Sequence, residues 1–427
     1  MSPSLKVLAL QPYFGGSHAQ FHNGWLGHST HQWTTLELPA RNWKWRMRHA
    51  AIYFSQQIHE LAEQGQHWDV IVATDMMNIA ELKGLLRSDL REIPIVLYFH
   101  ENQFVYPNRF GRERDRHFPF TNFISAIAAD HIWFNSQFNF DSLVVELWKS
   151  SKRWPDFRPT EAIDAFISKS RIEPPGIETP PLDLASFHDA RADRAARGEP
   201  IHLVWAARWE HDKNPQRLFQ ALKMLEEDCV NFRLSVIGQS FRIVPEVFEE
   251  IRTKFKDQIV RWGYQESRTE YWETLAEADV FLSTATHEFF GLSAAEAIVA
   301  GACPLLPKRL AYPELLQYGV DQAGAGQVGA TGRSARDSSE NDPLDEKVAA
   351  YLYEDQYQVD AAGESVDPPR GLVDAIKKIV RRRASEANWH NNDIASRFLK
   401  RLEIAKRATE MDSELSNVVS GIVENEV

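Results

Sequence analysis

Two carboxylates eight residues apart, Glu288 and Glu296, flank a glycine in the run Thr284-Ala285-Thr286-His287-Glu288-Phe289-Phe290-Gly291-Leu292-Ser293-Ala294-Ala295-Glu296. The apolar stretch 279–283 before it predicts a strand, and the stretch after Gly291 predicts a helix. The unpaired N–H groups of that helix start then face whatever lies beyond the strand's carboxyl end. Such donors suit phosphate or sugar oxygens, glycine permits close approach, and carboxylates accept from sugar hydroxyls. A nucleotide sugar offers both kinds of group. An ordinary strand-loop-helix connection with two solvated glutamates has the same spacing, and spacing alone does not separate the two.

Arg208 and Lys213 bracket a second loop, Arg208-Trp209-Glu210-His211-Asp212-Lys213, between a predicted strand at 201–206 and a helix opening at Asn214-Pro215. Two cations beside a helix start are what a departing diphosphate requires, because its developing charge must be stabilised in the transition state. Surface pairing with Glu210 and Asp212 is the structural alternative. Gly15 and Gly16 follow the first predicted strand, while His100-Glu101-Asn102 and Asn135-Ser136 stand at the ends of later ones. No G-x-G-x-x-G follows the first predicted strand, and the chain has no Asp-x-Asp metal signature.

A third cluster has a different character. Residues 39–49 interleave Arg41, Lys44, Arg46 and Arg48 with Trp43 and Trp45, the combination that grips a phosphate backbone and stacks an unpaired base. A helix entry with the tryptophans in the core and the cations in water has the same text. A further group, Arg109, Arg112, Arg114, Arg116 and His117, also holds Glu113 and Asp115, so a salt-bridged surface loop accounts for it as well. Two basic clusters in one half point to a polyanionic acceptor.

The elements that must position these groups alternate. Strands are predicted at 6–10, 69–73, 93–100 and 131–135 with helices at 48–63 and 120–129 between them. A Pro/Gly-rich stretch at 172–181 marks a boundary. The alternation restarts with strands at 201–206, 232–237, 259–262 and 279–283 and helices at 215–227, 245–255 and 270–277. This is an α/β chain of two Rossmann-like domains facing each other across a cleft, with ligands at the carboxyl ends of parallel strands. The expected division is an acceptor domain at 1–180, a linker at 181–200 and a nucleotide-sugar domain at 201–385. The remainder, 386–427, holds a last amphipathic helix at 388–403 and an acidic, polar tail that packs back on the first domain. Residues 323–345 read as a disordered insertion.

Composition sets the outer limits. With 427 residues, 43% of them hydrophobic, the chain can fill two cores. Two cysteines, Cys229 and Cys303, in apolar or helical surroundings point to a reducing compartment. No signal peptide or membrane span is evident at the start, and a cytoplasmic protein is expected. A net charge of −12 excludes adhesion to nucleic acid by bulk charge and leaves local patches to do it.

The Arg208/Lys213 pair, the Glu288/Glu296 motif with Phe290-Gly291-Leu292 inside it, Gly15-Gly16 and His100, in that combination, resemble retaining GT-B glycosyltransferases across nearly the whole chain. More narrowly, Tyr13-Phe14-Gly15-Gly16-Ser17-His18, residues 38–48 with Tyr53-Phe54-Ser55-Gln56, Tyr98-Phe99-His100-Glu101-Asn102-Gln103, 208–213 and His287-Glu288-Phe289-Phe290-Gly291 resemble the tRNA-queuosine mannosyltransferase family. The resemblance implies transfer of mannose from GDP-mannose to queuosine at the wobble position of aspartate tRNA, with retention and without a metal or other cofactor. It implies that Arg208 and Lys213 hold the diphosphate, Glu296 the ribose, and Glu288 with the 290–292 amides the mannose. Gly16 would approach the phosphates and His100 the sugar's reactive face. Arg41, Trp43, Lys44, Trp45, Arg46, Arg48, Arg109 and Arg112 are the expected tRNA contacts, and no protein partner or membrane is implied. A glycan or lipid acceptor on the same fold, and a non-catalytic nucleotide- or RNA-binding module, remain the alternatives; an exposed amphipathic face beside the cleft would favour the first and the aromatic-basic segment disfavours it, and the intact 208, 213, 288 and 296 set argues against the second.

Overall fold

The structure is a computed structural model that describes residues 4–106, 115–241, 244–318, 346–355, 367–386 and 393–425. The insertion expected at 323–345 lies outside them. Among the described residues, twelve strands form two sheets of six. The first contains β1 (Lys6–Phe14), β2 (Gln32–Pro39), β3 (Val70–Thr74), β4 (Ile95–Phe99), β5 (His131–Phe134) and β6 (Ser170–Ile172), in the order β2-β1-β3-β4-β5-β6. The second contains β7 (Ile201–Ala206), β8 (Phe232–Ile237), β9 (Ile259–Gly263), β10 (Val280–Leu282), β11 (Cys303–Pro307) and β12 (Leu352–Tyr353), in the order β12-β11-β10-β7-β8-β9. Every paired strand is parallel. Helices cover both faces, so β3, β4 and β7 are buried at every residue, which is why they read as unbroken apolar runs rather than as alternation.

Some boundaries differ from the sequence reading for identifiable reasons. β1 continues through Pro12-Tyr13-Phe14, which reads locally as a turn. Its pairing with β3 stops at Leu10, and its pairing with β2 shifts register between Gln11 and Phe14, so the missing N–H of Pro12 costs no ladder bond. β11 carries two prolines for a related reason. Cys303 N–H bonds toward β10 and Leu306 N–H toward β12. In that alternation Pro304 points toward β12 before β12 begins opposite Leu306, and Pro307 toward β10 after it has ended opposite Leu305.

The region between the sheets is not a plain linker. It contains the helix Leu184–Ala196, whose buried Arg191 donates to the Ala276 carbonyl at 2.9 Å and so belongs to the second half. The polar stretch beyond Glu410 is likewise helical. The helix Asp393–Leu402 packs Ile394, Phe398 and Leu402 into the second core, and Ile404–Asn425 lays Ala408, Met411, Leu415 and Val418 on Phe21 and Trp25 of the first. Asp412 accepts from Trp25 Nε1 at 2.9 Å and from the Thr30 amide at 2.7 Å. The chain crosses between the halves twice, and the crossings bond to each other: Ile177 N–H to Leu402 O at 2.6 Å and Ile404 N–H to Ile177 O at 3.1 Å.

Candidate active site

The carboxyl ends of the two sheets meet in a cleft. From the first half come Gly15 and Gly16 after β1, Asp75 after β3, His100 and Glu101 after β4, and Asn135 and Ser136 after β5. From the second come Arg208 after β7 and the 287–291 loop after β10. Gly16 opens the helix Gly16–His28 at φ 53°, with open space where a Cβ would lie. Gly291 holds φ 95° as the N-cap of the helix Leu292–Val299, and a Cβ there would meet Tyr312 at 3.0 Å. A side chain at Gly291 would be strained by both backbone and contact.

Lys213 is the hub of the second half's contribution. It ends a short 3₁₀ turn, His211–Lys213, and is 8% exposed. Its ammonium donates to the His287 carbonyl at 2.9 Å and to Glu288 Oε2 at 3.2 Å, with Asp212 Oδ2 at 3.3 Å. Burial alone would lower the lysine's pKa, but Glu288 and Asp212 outweigh it and hold the ammonium above its ordinary value. Burial would likewise raise Glu288, yet Lys213 and a backbone amide keep the carboxyl below its usual range. Glu288 Oε1 also accepts from the Phe289 and Phe290 amides at 3.2 and 3.5 Å. Arg208 is less enclosed and pairs with Glu210 at 3.1 Å. A pocket lined by Trp205, Lys213, Glu288, Ser293 and Tyr312 lies beside this group. Fixed cations, ordered amides and an ionised carboxylate at one end of a cleft are equipped for an anionic ligand that also carries hydroxyls.

Glu296, expected near a ribose, is 3% exposed and fully engaged by side chains. It accepts from Arg268 at 2.5 Å, Tyr271 OH at 2.6 Å and Gln20 Nε2 at 2.6 Å. Gln20 sits on the helix that begins at Gly16, so this bond spans the cleft. Two further contacts do so: Ser136 Oγ donates to the Phe289 carbonyl at 2.5 Å, and Glu314 accepts from the Gln137 and Phe138 amides at 2.8 and 3.0 Å, capping the first-half helix Gln137–Ser151. Gln20, Arg268 and Tyr271 carry no local signal of this role, since each acts through a partner distant in sequence. Asp75, also missed, had one: it is a carboxylate at the end of the apolar run 70–73. It is buried and accepts from the His100 amide at 3.0 Å.

Several ionisable groups of the cleft and cores are buried in their neutral forms. Burial holds His18 and His202 down at about 3 and His22 and His287 at about 4, from an ordinary 6.5. The unfolded chain binds more protons at these four sites between the two values, so each contributes stability above about pH 6.5 that is lost on acidification. Burial raises Glu101 and Glu314 to about 7 from 4.5. These two act in the opposite direction, favouring the folded form as pH falls from about 7 to about 4.5. His100 and His131, also lowered by burial, act with the four imidazoles, and Asp75, Asp141 and Asp279, raised by burial, act with the two carboxyls. An unfolded histidine takes up its proton near 6.5, inside the window, so the six imidazoles outweigh the carboxyls, and the melting temperature is expected to fall between about pH 7 and about pH 5. A calorimetric scan in which it stays level or rises would contradict this balance.

Comparison with known proteins is decisive at this point. Residues 6–177 match the tRNA-queuosine alpha-mannosyltransferase N-terminal family and residues 186–335 match glycosyl transferases group 1. A tRNA-queuosine alpha-mannosyltransferase from Drosophila melanogaster is 36% identical over 312 residues, covering 72% of this chain and 81% of that protein. The chain belongs to the tRNA-queuosine alpha-mannosyltransferase family. It is a glycosyltransferase, and its fold is GT-B. Solved structures agree on the fold: HepE from Anabaena in complex with UDP and glucose (TM-score 0.58, 14% identity, 97% of this chain and 100% of that one) and the catalytic domain of starch synthase IV from Arabidopsis thaliana bound to ADP and acarbose (TM-score 0.62, 12% identity, 98% and 100%). None of the described helices is long and apolar enough to cross a membrane.

In this member of the tRNA-queuosine alpha-mannosyltransferase family the basic-aromatic segment forms the start of the helix Trp43–Glu63 at the rim of the cleft. A chain of rings connects the two. Tyr106 packs on His287 with centroids 4.7 Å apart, Trp43 lies 6.5 Å from Tyr106 and 5.1 Å from Phe118, and Arg48 and Lys44 stand over Phe118 at 5.1 and 5.9 Å. Trp45 is 60% exposed and stacks on His49 at 5.1 Å and 12°. Arg41, Lys44 and Arg48 are exposed. Two expected RNA contacts are placed differently. Arg46 is 8% exposed and turns inward, donating to the Pro39 carbonyl at 3.2 and 3.3 Å, and Trp43 is half-buried in the ring chain. Helical spacing put Arg46 on the core side with Met47 and Ala50, a direction that the run of cations concealed. Arg109 and Arg112 lie outside the described residues.

Proposed function

We propose that this protein transfers mannose from GDP-mannose to queuosine at the wobble position of aspartate tRNA, with retention at the anomeric carbon. The observation that carries the reading is the continuity between the two ends of the cleft. The Arg208/Lys213/Glu288 group stands at one end, and the His287-Tyr106-Trp43 ring chain leads from it to the exposed Trp45 and its cations. A base held on such a rim would bring its own substituent to the charged group. The name of the Drosophila relative agrees with that acceptor.

In this reading Arg208 and Lys213 take the charge that develops on the departing diphosphate, and Glu288 with the amides near Gly291 orients the sugar. The acceptor hydroxyl enters on the face from which the nucleotide leaves, so the chain's work is positioning and charge stabilisation, and no metal is required. Glu296 receives the ribose hydroxyls by exchanging them for the Gln20 donor across the cleft.

The test is mass spectrometry of nucleosides from queuosine-containing tRNA incubated with the purified protein, GDP-mannose and a chelator. A gain of one hexose on queuosine in aspartate tRNA alone is expected. Loss of that gain under chelation would overturn metal independence. Slow hydrolysis of GDP-mannose without transfer would overturn the acceptor, and absence of donor turnover and binding would overturn the donor.

A further inference from the structure

Two imidazoles at the floor of the cleft have nitrogens with nothing to bond. His18, in the first turn of the helix Gly16–His28, is 7% exposed, and its Nδ1 has neither a hydrogen-bond partner nor contact with solvent. Its ring lies 4.1 Å from that of His100, centroid to centroid, at 39°. His100 Nε2 is likewise enclosed and unpartnered. The main chain of His100 is fixed on both sides, its N–H donating to Asp75 at 3.0 Å and its carbonyl accepting from Asn135 Nδ2 at 2.8 Å. Phe21 and Tyr98, with centroids 5.0 and 4.7 Å from His100, pack on two other sides of the ring.

Leaving a buried polar atom unsatisfied is costly to the fold. A phenylalanine would serve the same packing at either position without that cost, so packing does not account for two such rings in contact. A neutral imidazole offers one N–H and one lone pair, which matches a hydroxyl; a phosphate calls for cations, and Arg208 and Lys213 supply those nearby. His18 stands four residues past the carboxyl end of β1, and its ring meets those of Tyr13 at 5.6 Å and His100 at 4.1 Å, which places it on the cleft side.

We infer that His18 joins His100 in a two-imidazole subsite for a neutral hydroxyl of the substrate, which makes His18 a substrate-contacting residue of the proposed reaction. The inference rests on the donor and acceptor reading given above. The hydroxyl comes either from the transferred sugar or from the ring diol of the acceptor nucleoside.

His18→Phe keeps a ring against His100 and removes both nitrogens, and His18→Asn keeps a polar atom near the Nδ1 position. Affinities for GDP and GDP-mannose, measured by calorimetry, and kcat/KM for queuosine-containing tRNA distinguish the sources. GDP affinity is expected to stay within about twofold for His18→Phe, as one hydroxyl contact is worth about tenfold. A loss of about tenfold in GDP-mannose affinity alone assigns the hydroxyl to the donor sugar. The same loss in kcat/KM for tRNA, with both nucleotide affinities unmoved, assigns it to the acceptor. His18→Asn is expected to retain more than His18→Phe in whichever quantity falls. Wild-type values in all three for His18→Phe would overturn the inference. So would equal losses for GDP and GDP-mannose in both variants with a lowered melting temperature, since that pattern belongs to packing. Wild-type protein that binds GDP but not GDP-mannose would instead overturn the donor reading, and the subsite with it.

Discussion

Arg208→Ala is expected to lower the rate of sugar transfer by on the order of 10²- to 10³-fold, the loss seen when one preorganised donor to a developing charge is removed, with little change in melting temperature. The guanidinium stands at the carboxyl end of β7, partly exposed, and its ion pair with Glu210 at 3.1 Å is of the kind worth about 0–1 kcal/mol to the fold. In the proposed reaction its value lies in the transition state, where the departing diphosphate accumulates charge. Lys213→Ala is expected to behave differently. That ammonium holds the His287 carbonyl and neutralises Glu288 and Asp212 in a buried place, so its removal leaves two carboxylates facing each other. Breaking such a buried pair costs about 3–5 kcal/mol, so this variant loses rate and stability together. Turnover at saturating donor, read beside a thermal melt, separates the two. A wild-type rate in Arg208→Ala would remove the residue from the mechanism.

The triple replacement Arg41→Ala, Lys44→Ala, Arg48→Ala is expected to weaken tRNA binding on the order of 10²-fold at about 0.1 M salt. It should also reduce the slope of log affinity against log salt by about 2, from roughly 0.7 per phosphate contact on a single strand. These three cations are exposed around the solvent-facing Trp45, whereas Arg46 is spent on the Pro39 carbonyl. Arg46→Ala is therefore the internal control: it should lower the melting temperature and leave the salt slope where it was. Filter binding or fluorescence anisotropy over a salt series reads both. An unchanged slope in the triple variant would return the segment to a structural role and move the acceptor to another surface.

Much of the fold was legible because a parallel sheet covered on both faces demands long apolar runs. Strands β7 and β8 and the helix Pro215–Glu227 fall where periodicity and the Asn214-Pro215 start signal place them. The cluster of Lys213 with Glu288 was legible for a related reason: both stand in the loops that follow strands of one sheet, β7 and β10, which are neighbours. Edge and short strands were not. β2 is half-exposed along most of its length, β6 has three residues, and the prolines of β11 are harmless only because of where β10 ends and β12 begins.

The sequence by itself determined the two α/β halves, the order of the motif residues and the pairing of cations with tryptophans at 41–48. Those features depend on local propensity, on period and on residues adjacent to strand ends, and each is written within a few tens of residues. Tertiary structure alone decided that Glu314 caps a helix of the opposite half, that the tail is a helix resting on Trp25, and that His18 lies against His100. It also decided that Glu296 bonds Gln20, 276 residues away. Contacts of that kind arise from how two separate sheets are set with their carboxyl ends together, and the free energy of a buried carboxylate or imidazole depends on which partners that arrangement brings within bonding distance.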